Sequence, residues 1–169
     1  MSSTLATLTT RFAGPGCVRW IGLRPARRAQ VRAVEDANIT LSGLEGDRRA
    51  NPGKRAVSLI QWEHLPVIAA LADAEAIDPA VLRRNIAISG LNLLGLRKSA
   101  FRIGTAILHG TGLCAPCSRM EEALGDGGFN AVRGHGGITA EVVFPGSVAL
   151  GDEVVPQAVE AAGQRGGSP

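Results

Sequence analysis

Two cysteines and the start of a helix lie together in the stretch CAPCSRMEE, residues 114–122. Cys114 and Cys117 are separated by two residues, and Pro116 directly precedes the second thiol. Cysteines at this spacing are typical of four arrangements: a disulfide, half of a zinc site, a dithiol redox couple, or a single nucleophilic or metal-binding thiolate. The rest of the chain has to distinguish among these four.

The residues after the pair predict a short helix over 119–124. Ser118 and Glu121 have the spacing of a capping box, in which the serine is the N-cap and the glutamate is the third helical residue. Cys117 would then lie one residue before the helix, beside backbone N–H groups that stabilise a thiolate and lower the pKa of the thiol. Cys117 is therefore the predicted nucleophile or metal ligand, and Cys114 is a candidate auxiliary thiol.

The other arrangements differ in what they require. A structural zinc ion needs two more ligands, and the chain offers only Cys17 and three scattered histidines, at positions 64, 109 and 135. A dithiol couple stays open, because CAPC before a helix resembles the CGPC of thioredoxin-like proteins. Those proteins carry the motif after an early strand of an α/β chain, whereas here it falls late. Two buried cysteines without chemistry are a further alternative.

Arginine dominates the basic residues of the chain. Only two of the 18 basic residues are lysines, and the formal net charge is +3. Residues 1–60 contain ten basic residues and four acidic ones. A guanidinium group grips phosphate or carboxylate with two hydrogen bonds, so this bias suits a phosphorylated small molecule or a polyanion, or else serves solubility alone.

Composition limits the class of protein. A length of 169 residues with 45% hydrophobic residues suits one domain with a sizeable core. Three cysteines, an odd number, predict reduced thiols and a cytoplasmic protein. Residues 1–16 lack the pattern of a secretory signal, and no stretch approaches the roughly 20 apolar residues of a membrane span.

The predicted elements are mostly strands. The 22 glycines and nine prolines divide the chain into short segments. Strand patterns occur at 17–23, 29–41, 56–60, 85–90 and 101–112. Residues 137–155 predict a hairpin with the sequence PGS at its turn. Helical segments are predicted at 61–74 and after Asp78, where Pro79 would occupy the first helical position.

About seven strands without regular strand–helix alternation predict a mostly β fold. We expect a closed or partly open antiparallel β-barrel with a few short inserted α-helices. A single domain is predicted over residues 1–155, with its core at about 17–155. Residues 156–169, which are small and polar, are predicted to form a flexible C-terminal tail.

Six segments of the chain resemble, in order and spacing, a stand-alone MOSC domain. They are GLEGDRR, GKRAVSLIQWEH, LRRNIAISGLNLLGL, FRIGTAILHGTGLCAPCSRMEEAL, FNAVRGHGGITAEVV and GSVALGDEV. The MOSC domain forms the C-terminal part of molybdenum cofactor sulfurases. The resemblance extends over about residues 17–155, and residues 82–139 are its most specific part. It implies a β-barrel that binds the pterin-based molybdenum cofactor (molybdopterin), with a cysteine that carries sulfur or ligates the metal.

The resemblance also implies roles for particular residues. Cys117 matches the functional cysteine and would be the ligand of molybdenum. Arg83 and Asn85 match positions that hold the cofactor in relatives, and Arg48 stands where small relatives often have histidine. The predicted cofactor-binding set is Lys54, Arg55, Arg83, Asn85, Ser118, Arg133 and His135. Because side chains alternate in direction along a strand, at most two of Arg83, Arg84 and Asn85 are expected to face one pocket.

Two functions follow from the resemblance. Related two-domain proteins reduce N-hydroxylated compounds such as N-hydroxylated purines and amidoximes. One implied function is therefore molybdenum-dependent reduction with an external electron donor. The other is sulfur transfer or carriage with a cysteine desulfurase as partner. No pyridoxal-phosphate lysine is expected in this chain, and neither nucleic acid nor membrane is expected as a partner. A dithiol oxidoreductase and a non-catalytic carrier of cofactor or sulfur are the alternatives.

Overall fold

The structure, a computed structural model, describes residues 3–49 and 51–158. Its strands are β1 Gly16–Leu23, β2 Arg32–Val34, β3 Asp36–Thr40, β4 Gly43–Leu44, β5 Val57–Gln61, β6 Ile86–Ser89, β7 Ala100–Ile103, β8 Ala106–Leu113, β9 Ile138–Phe144, β10 Gly146–Ala149 and β11 Glu153–Pro156. Its α-helices are α1 Leu5–Thr9, α2 His64–Leu71, α3 Ser118–Leu124 and α4 Gly128–Val132. Two 3₁₀ helices span Pro79–Leu82 and Leu93–Leu96.

Seven of these strands close into a barrel. Their order is β11, β7, β8, β9, β5, β6 and β1, and β1 pairs back onto β11. Within the barrel β5 and β6 pair in parallel, and the other pairs are antiparallel. Strand β2 extends the sheet beyond β1, while β10, β3 and β4 form a separate three-stranded sheet. The prediction of a mostly antiparallel β-barrel with short helices is confirmed.

Strand β5 connects the two hydrophobic cores of the protein. All five of its residues are buried, because both faces of this strand are covered. Leu59 points into the main core inside the barrel, and Ile60 points into a second core beneath the helices. Met120 of α3 and Val132 of α4 belong to this second core, so the helices are held against the outside of the barrel.

The predicted hairpin over residues 137–155 is wrong. Strand β9 pairs with β5 and β8 and not with the strand that follows it. Strand β10 leaves the barrel to pair with β3, and β11 returns to pair with β7 and β1. An alternating pattern shows which side chains share a face of a strand, but it does not show which strand lies alongside.

The remaining predicted segments fit the structure more closely. Residues 17–23, 56–60 and 85–90 correspond to β1, β5 and β6, while 101–112 contains most of two strands, β7 and β8. Asp78 caps its 3₁₀ helix as predicted, accepting a hydrogen bond from Ala80 N–H. Strand β11 continues to Pro156, so the predicted tail begins later than expected, and its residues 159–169 lie outside the described part. None of the described helices has the length and apolar character needed to span a membrane.

A close backbone contact in β8 makes Gly110 a sensitive position. A Cβ atom at Gly110 would lie 1.9 Å from the Leu96 carbonyl oxygen, inside any allowed contact distance. The pairing of β8 with β9 also shifts register between Gly110 and Gly112. A side chain at position 110 would therefore separate β8 from the 3₁₀ helix that ends at Leu96.

We expect Gly110→Ala to lower the free energy of unfolding by about 3 kcal/mol, because the added methyl group forces strand and helix apart. Gly14→Ala is the matched control, since a Cβ there meets no heavy atom within 4 Å. The control should change stability by less than about 0.5 kcal/mol. Urea denaturation followed by circular dichroism measures both values, and equal stabilities of the two variants would contradict the prediction.

Candidate functional site

A cavity of about 290 Å³ brings together many basic side chains. Two of the three cysteines line it, and so do eight arginines. These are Arg24, Arg27, Arg48, Arg49, Arg55, Arg83, Arg84 and Arg119. The described lining residues include no aspartate or glutamate. The cavity therefore offers thiols and uncancelled positive charge to the same ligand.

The two thiols differ in their access to solvent. Cys117 is exposed, whereas only 6% of the surface of Cys114 is exposed. The Cys117 carbonyl accepts a hydrogen bond of 2.9 Å from Met120 N–H, in the first turn of α3. Because the Met120 side chain is buried in the second core, it fixes the start of α3 and thereby the position of the exposed thiol.

The predicted capping box at the start of this helix is wrong. Helix α3 begins at Ser118, and Cys117 is the N-cap, without a side-chain capping bond. The Glu121 carboxylate instead accepts hydrogen bonds from the N–H groups of Phe129 (2.8 Å) and Gly127 (2.7 Å). These bonds lower the pKa of Glu121 and tie α3 to the start of α4. Glu121 thus makes a more distant contact that its spacing from Ser118 does not reveal.

Arg84 is the buried arginine beside the thiols. Its guanidinium group donates to the carbonyl oxygens of Gly136 (2.8 Å) and Leu82 (2.8 Å). Burial lowers the pKa of Arg84, while electrostatic interactions with Cys114 and Cys117 act in the opposite direction. Arginine stays protonated in proteins despite such shifts. Since its hydrogen-bond partners are neutral carbonyls, no carboxylate cancels its positive charge.

Glycines before β9 allow the cysteine loop to pack closely. The Cys114 N–H donates to the Gly137 carbonyl over 2.9 Å. A Cβ atom at Gly136 would lie 2.2 Å from the Cys114 carbonyl oxygen, and one at Gly137 would lie 1.8 Å from the Leu59 carbonyl oxygen. Gly137 also has a φ of 83°, which disfavours other residues. The RGHGGI segment therefore holds the backbone that carries Cys114.

An ion pair between Arg24 and Asp47 lies beside the cavity. The Asp47 carboxylate accepts hydrogen bonds from Arg24 Nη2 (2.8 Å), Nε (3.1 Å) and the backbone N–H (2.7 Å). Its side chain is fully buried, and 12% of the Arg24 side chain is exposed. Burial alone would raise the pKa of Asp47, but the hydrogen bonds and charge of Arg24 outweigh it and lower this pKa.

Asn85 extends this contact into the barrel. The residue is completely buried, and its Oδ1 accepts hydrogen bonds from Arg24 Nη2 (3.2 Å) and from Ser58 N–H and Oγ–H (3.1 Å each). Asn85 Nδ2 donates to the Gly22 carbonyl over 3.3 Å. Asn85 therefore joins β1 and β5 just before β6, and it supports the cavity without lining it.

The structure brings together three of the residues predicted for the site. Arg55 and Arg83 line the cavity with Cys117. Two of the three consecutive residues Arg83, Arg84 and Asn85 face the cavity, within the expected limit of two, but the second is Arg84 and not the predicted Asn85. Arg83 has a left-handed conformation with a φ of 57° at the end of its 3₁₀ helix. The alternation of strand side chains therefore begins only after it, and both arginines reach the same cavity.

Besides Asn85, four predicted cofactor-binding residues do not line the cavity. The Lys54 carbonyl accepts a hydrogen bond from the Thr111 hydroxyl. Ser118 begins α3, and Arg133 is an exposed residue following α4. The Nδ1 atom of His135 lies 3.3 Å from that of His64, and the two rings meet edge to face. Roles for these four residues toward a cofactor stay predictions.

Sequence reasoning missed five arginines of the cavity: Arg24, Arg27, Arg48, Arg49 and Arg119. Four of them lie in residues 1–60, where the excess of basic residues was the available signal. The excess does not show which of the ten basic residues in that range line the same cavity. Their convergence depends on contacts such as the one between Arg24 and Asn85, 61 positions apart.

Comparison with known proteins agrees with the fold and with the sequence motifs. The family model of the MOSC domain matches residues 45–155. The crystal structure of the YuaD protein from Bacillus subtilis has a TM-score of 0.73 and 20% identity, covering 83% of this chain and 94% of that chain. At this identity the similarity demonstrates the fold alone.

Two YiiM structures are similar as well. YiiM from Escherichia coli has a TM-score of 0.66 and 19% identity, covering 85% of this chain and 70% of that chain. YiiM from Geobacillus stearothermophilus has a TM-score of 0.68 and 16% identity, covering 85% and 76%. No curated protein shows significant similarity to the chain.

The ion pair beside the cavity gives a pH-dependent prediction. We expect Asp47→Asn to lower the free energy of unfolding by about 2 kcal/mol at pH 7, because the amide leaves the charge of Arg24 unbalanced. Since the pKa of Asp47 is lower in the folded state, its stabilisation is present above about pH 3.9 and is lost as the pH falls through the folded pKa.

Urea unfolding at several pH values between 7 and 3 measures this difference. The stabilities of the variant and the wild type should converge at the acid end of the series. Asp126→Asn, at an exposed position, is the control and should change stability by less than about 0.5 kcal/mol throughout. A gap between Asp47→Asn and wild type that stays constant to the lowest pH would contradict the role given to this carboxylate.

Proposed function

This chain is a member of the MOSC domain family, and from that premise we propose that it binds the molybdenum cofactor with Cys117 as the ligand of molybdenum. We further propose that the bound cofactor serves to reduce N-hydroxylated compounds. One observation carries the proposal: an exposed thiol stands in the wall of a cavity that eight arginines line.

The residues of the cavity suit the two chemically different parts of this cofactor. A thiolate is a good donor to molybdenum in its higher oxidation states. The cofactor also carries a phosphate, which guanidinium groups bind with paired, charge-assisted hydrogen bonds. Among the described residues, no three His, Cys, Asp or Glu side chains cluster as a metal site. Cys117 is accordingly the one protein ligand in this proposal.

Neighbouring arginines would attract and orient the ligand. Arg84 would attract a negatively charged ligand to the cavity, because the carbonyl groups that hold its guanidinium leave its charge uncancelled. Arg83 donates from Nη1 to the Ala29 carbonyl (2.6 Å), which fixes its side chain while leaving other N–H groups for a phosphate. Arg55, which also lines the cavity, forms no ion pair within the described chain and would bind the same anion.

The proposed reaction needs partners besides the cofactor. When bound, the cofactor supplies two-electron oxygen-atom transfer. Reduction of a hydroxylamino group breaks the N–O bond, consumes two electrons and two protons, and releases the amine and water. The electrons would come from a separate reduced carrier protein, since three cysteines are too few for a cluster that takes four thiolates. We place the protein in the cytoplasm, where its three free thiols would stay reduced.

Two other functions use the same thiols. Cys114 lines the cavity with Cys117, and this observation favours a dithiol oxidoreductase, in which both sulfurs form a disulfide as a substrate gains two electrons. Sulfur carriage would use a persulfide on Cys117, supplied by a cysteine desulfurase. The dithiol oxidoreductase needs both cysteines, whereas sulfur carriage needs Cys117 and a desulfurase. Experiments can therefore separate the two functions.

Metal analysis tests the cofactor. Protein purified from a host that makes the cofactor should contain molybdenum and pterin in nearly equal amounts, measured by elemental mass spectrometry and by pterin fluorescence after extraction. Cys117→Ala should contain neither, because the exposed thiol is the proposed ligand. Cys114→Ser and the matched control Cys17→Ser should both retain the metal. Molybdenum retained in full by Cys117→Ala would contradict the proposed ligation.

Turnover tests the reaction. Cofactor-loaded protein with a competent electron donor should convert 6-hydroxylaminopurine to adenine, followed by chromatography of the product. Cys117→Ala should fall to the background rate, whereas Cys114→Ser should stay active, since a metal ligand needs one sulfur. Loss of activity in both variants would favour the dithiol oxidoreductase. Loaded wild-type protein that leaves the substrate unreduced would contradict the reductase, and loading that requires a desulfurase would favour sulfur carriage.

A further inference from the structure

We propose that the cavity has a second anion subsite, formed by Arg48, Arg49 and Arg55, and that its ligand is a diphosphate ester such as a nucleotide. The inference rests on the proposed function, because it concerns charge beyond what the single phosphate of the cofactor would neutralise. It deepens that function by giving the chemical class of a second group that the cavity binds.

The first argument is the surplus of positive charge. Arg24, Arg83 and Arg84 have partners within the protein, namely the Asp47 carboxylate and several backbone carbonyls. The other five lining arginines form no ion pair and no side-chain hydrogen bond within the described residues. A single phosphate group carries at most about two negative charges. One such group would leave most of these guanidinium groups without a counterion.

The second argument is that these arginines lie close enough to repel one another. Burial lowers the pKa of Arg49, and the charges of Arg24, Arg55 and Arg48 lower it further. Burial likewise lowers the pKa of Arg83, followed by the charges of Arg119, Arg24 and Arg48. Like charges held together without a counterion cost stability, and a multivalent anion would remove that cost.

The third argument is that the arginines occupy two positions in the cavity. Arg84 interacts electrostatically with both thiols, whereas the charges that act on Arg49 come from other arginines and from Asp47. Arg55 interacts with both Arg84 and Arg49. The hydrogen bonds agree with this difference: Arg84 is held by the Gly136 and Ala115 carbonyls beside the cysteine loop, whereas the Arg48 backbone is bonded to Arg24. Arg24, like Arg55, interacts with both Arg84 and Arg49.

The loop that carries Arg48 and Arg49 is anchored. The Arg48 N–H donates to the Arg24 carbonyl over 2.7 Å, and the Asp47 N–H donates to the Leu44 carbonyl over 3.1 Å. The Asp47 side chain is itself held by Arg24. The backbone is therefore held at Asp47 and Arg48, directly before Arg49, and such anchoring lowers the cost of ordering a binding site for two adjoining phosphate groups.

Two sources would supply a diphosphate here. One is a form of the cofactor extended by a nucleotide through a pyrophosphate link. The other is a substrate in which the N-hydroxylated base belongs to a nucleotide. Both present the same chemistry to Arg48, Arg49 and Arg55, namely two linked phosphates next to the group bound near Cys117.

Isothermal titration of the cofactor-free protein with inorganic phosphate and with pyrophosphate, at constant ionic strength, tests the subsite. We expect pyrophosphate to bind about tenfold or more tightly than phosphate, because it engages additional charge-assisted hydrogen bonds. The double variant Arg48→Gln/Arg49→Gln should lose this preference. The matched control Arg32→Gln/Arg97→Gln removes the same charge at exposed positions outside the cavity and should keep it.

Equal affinity for the two anions, or an equal loss in the control variant, would overturn the second subsite. This titration uses neither cofactor nor turnover. Its failure is therefore distinct from failure of the proposed function, which would show as absence of molybdenum from the purified protein.

Cofactor-loaded protein distinguishes the two sources, and either result supports the subsite. If the substrate carries the diphosphate, ADP still binds to the loaded protein. N6-hydroxy-ADP should then have a KM about tenfold below that of N6-hydroxyadenosine, because its diphosphate makes additional hydrogen bonds to the arginines. That advantage should disappear in Arg48→Gln/Arg49→Gln. If the cofactor carries it, loading blocks ADP binding, and mass spectrometry of the extracted pterin shows an attached nucleotide. Loaded protein that shows neither behaviour overturns the assignment of a diphosphate ester.

Discussion

The arginine cavity depends on the buried ion pair between Arg24 and Asp47. It joins the end of β1 to the loop after β4, and Asn85 continues the contact to the start of β6. A carboxylate buried beside several guanidinium groups offsets part of their repulsion, and removal of one member would leave a buried charge without its partner. The ion pair thus links β1, the loop after β4 and the start of β6 at one side of the cavity.

Arg84 shows how a protein keeps a positive charge available in its interior. Carbonyl oxygens satisfy its N–H groups and fix its geometry, whereas a carboxylate would also have cancelled its charge. The two cysteines beside it differ in exposure, so the field of one guanidinium acts on a buried thiol and on an accessible one. Cys117 is thus the thiol that a ligand from solvent can reach, whereas Cys114 is buried.

Several features of the fold and of the site were predictable from particular residues. The many glycines and prolines, the short alternating segments and the lack of regular strand–helix alternation predicted a mostly β barrel, because these properties act locally. The CAPC segment and the consecutive Arg83 and Arg84 marked parts of the cavity. The role of Glu121 and the partners of β9 and β10 were not predictable, since alternation and capping patterns do not show distant contacts.

By itself, the sequence determined that the chain contains two closely spaced cysteines, an excess of arginine and many glycines and prolines that divide it into short segments. Only the tertiary structure decided that eight of those arginines line the same cavity as the two thiols and that Asn85 holds one of them, Arg24. The physical reason is distance along the chain. Arg24, Asp47, Arg84 and Cys117 come from separate segments, and barrel closure together with burial of Met120 brings them to one cavity.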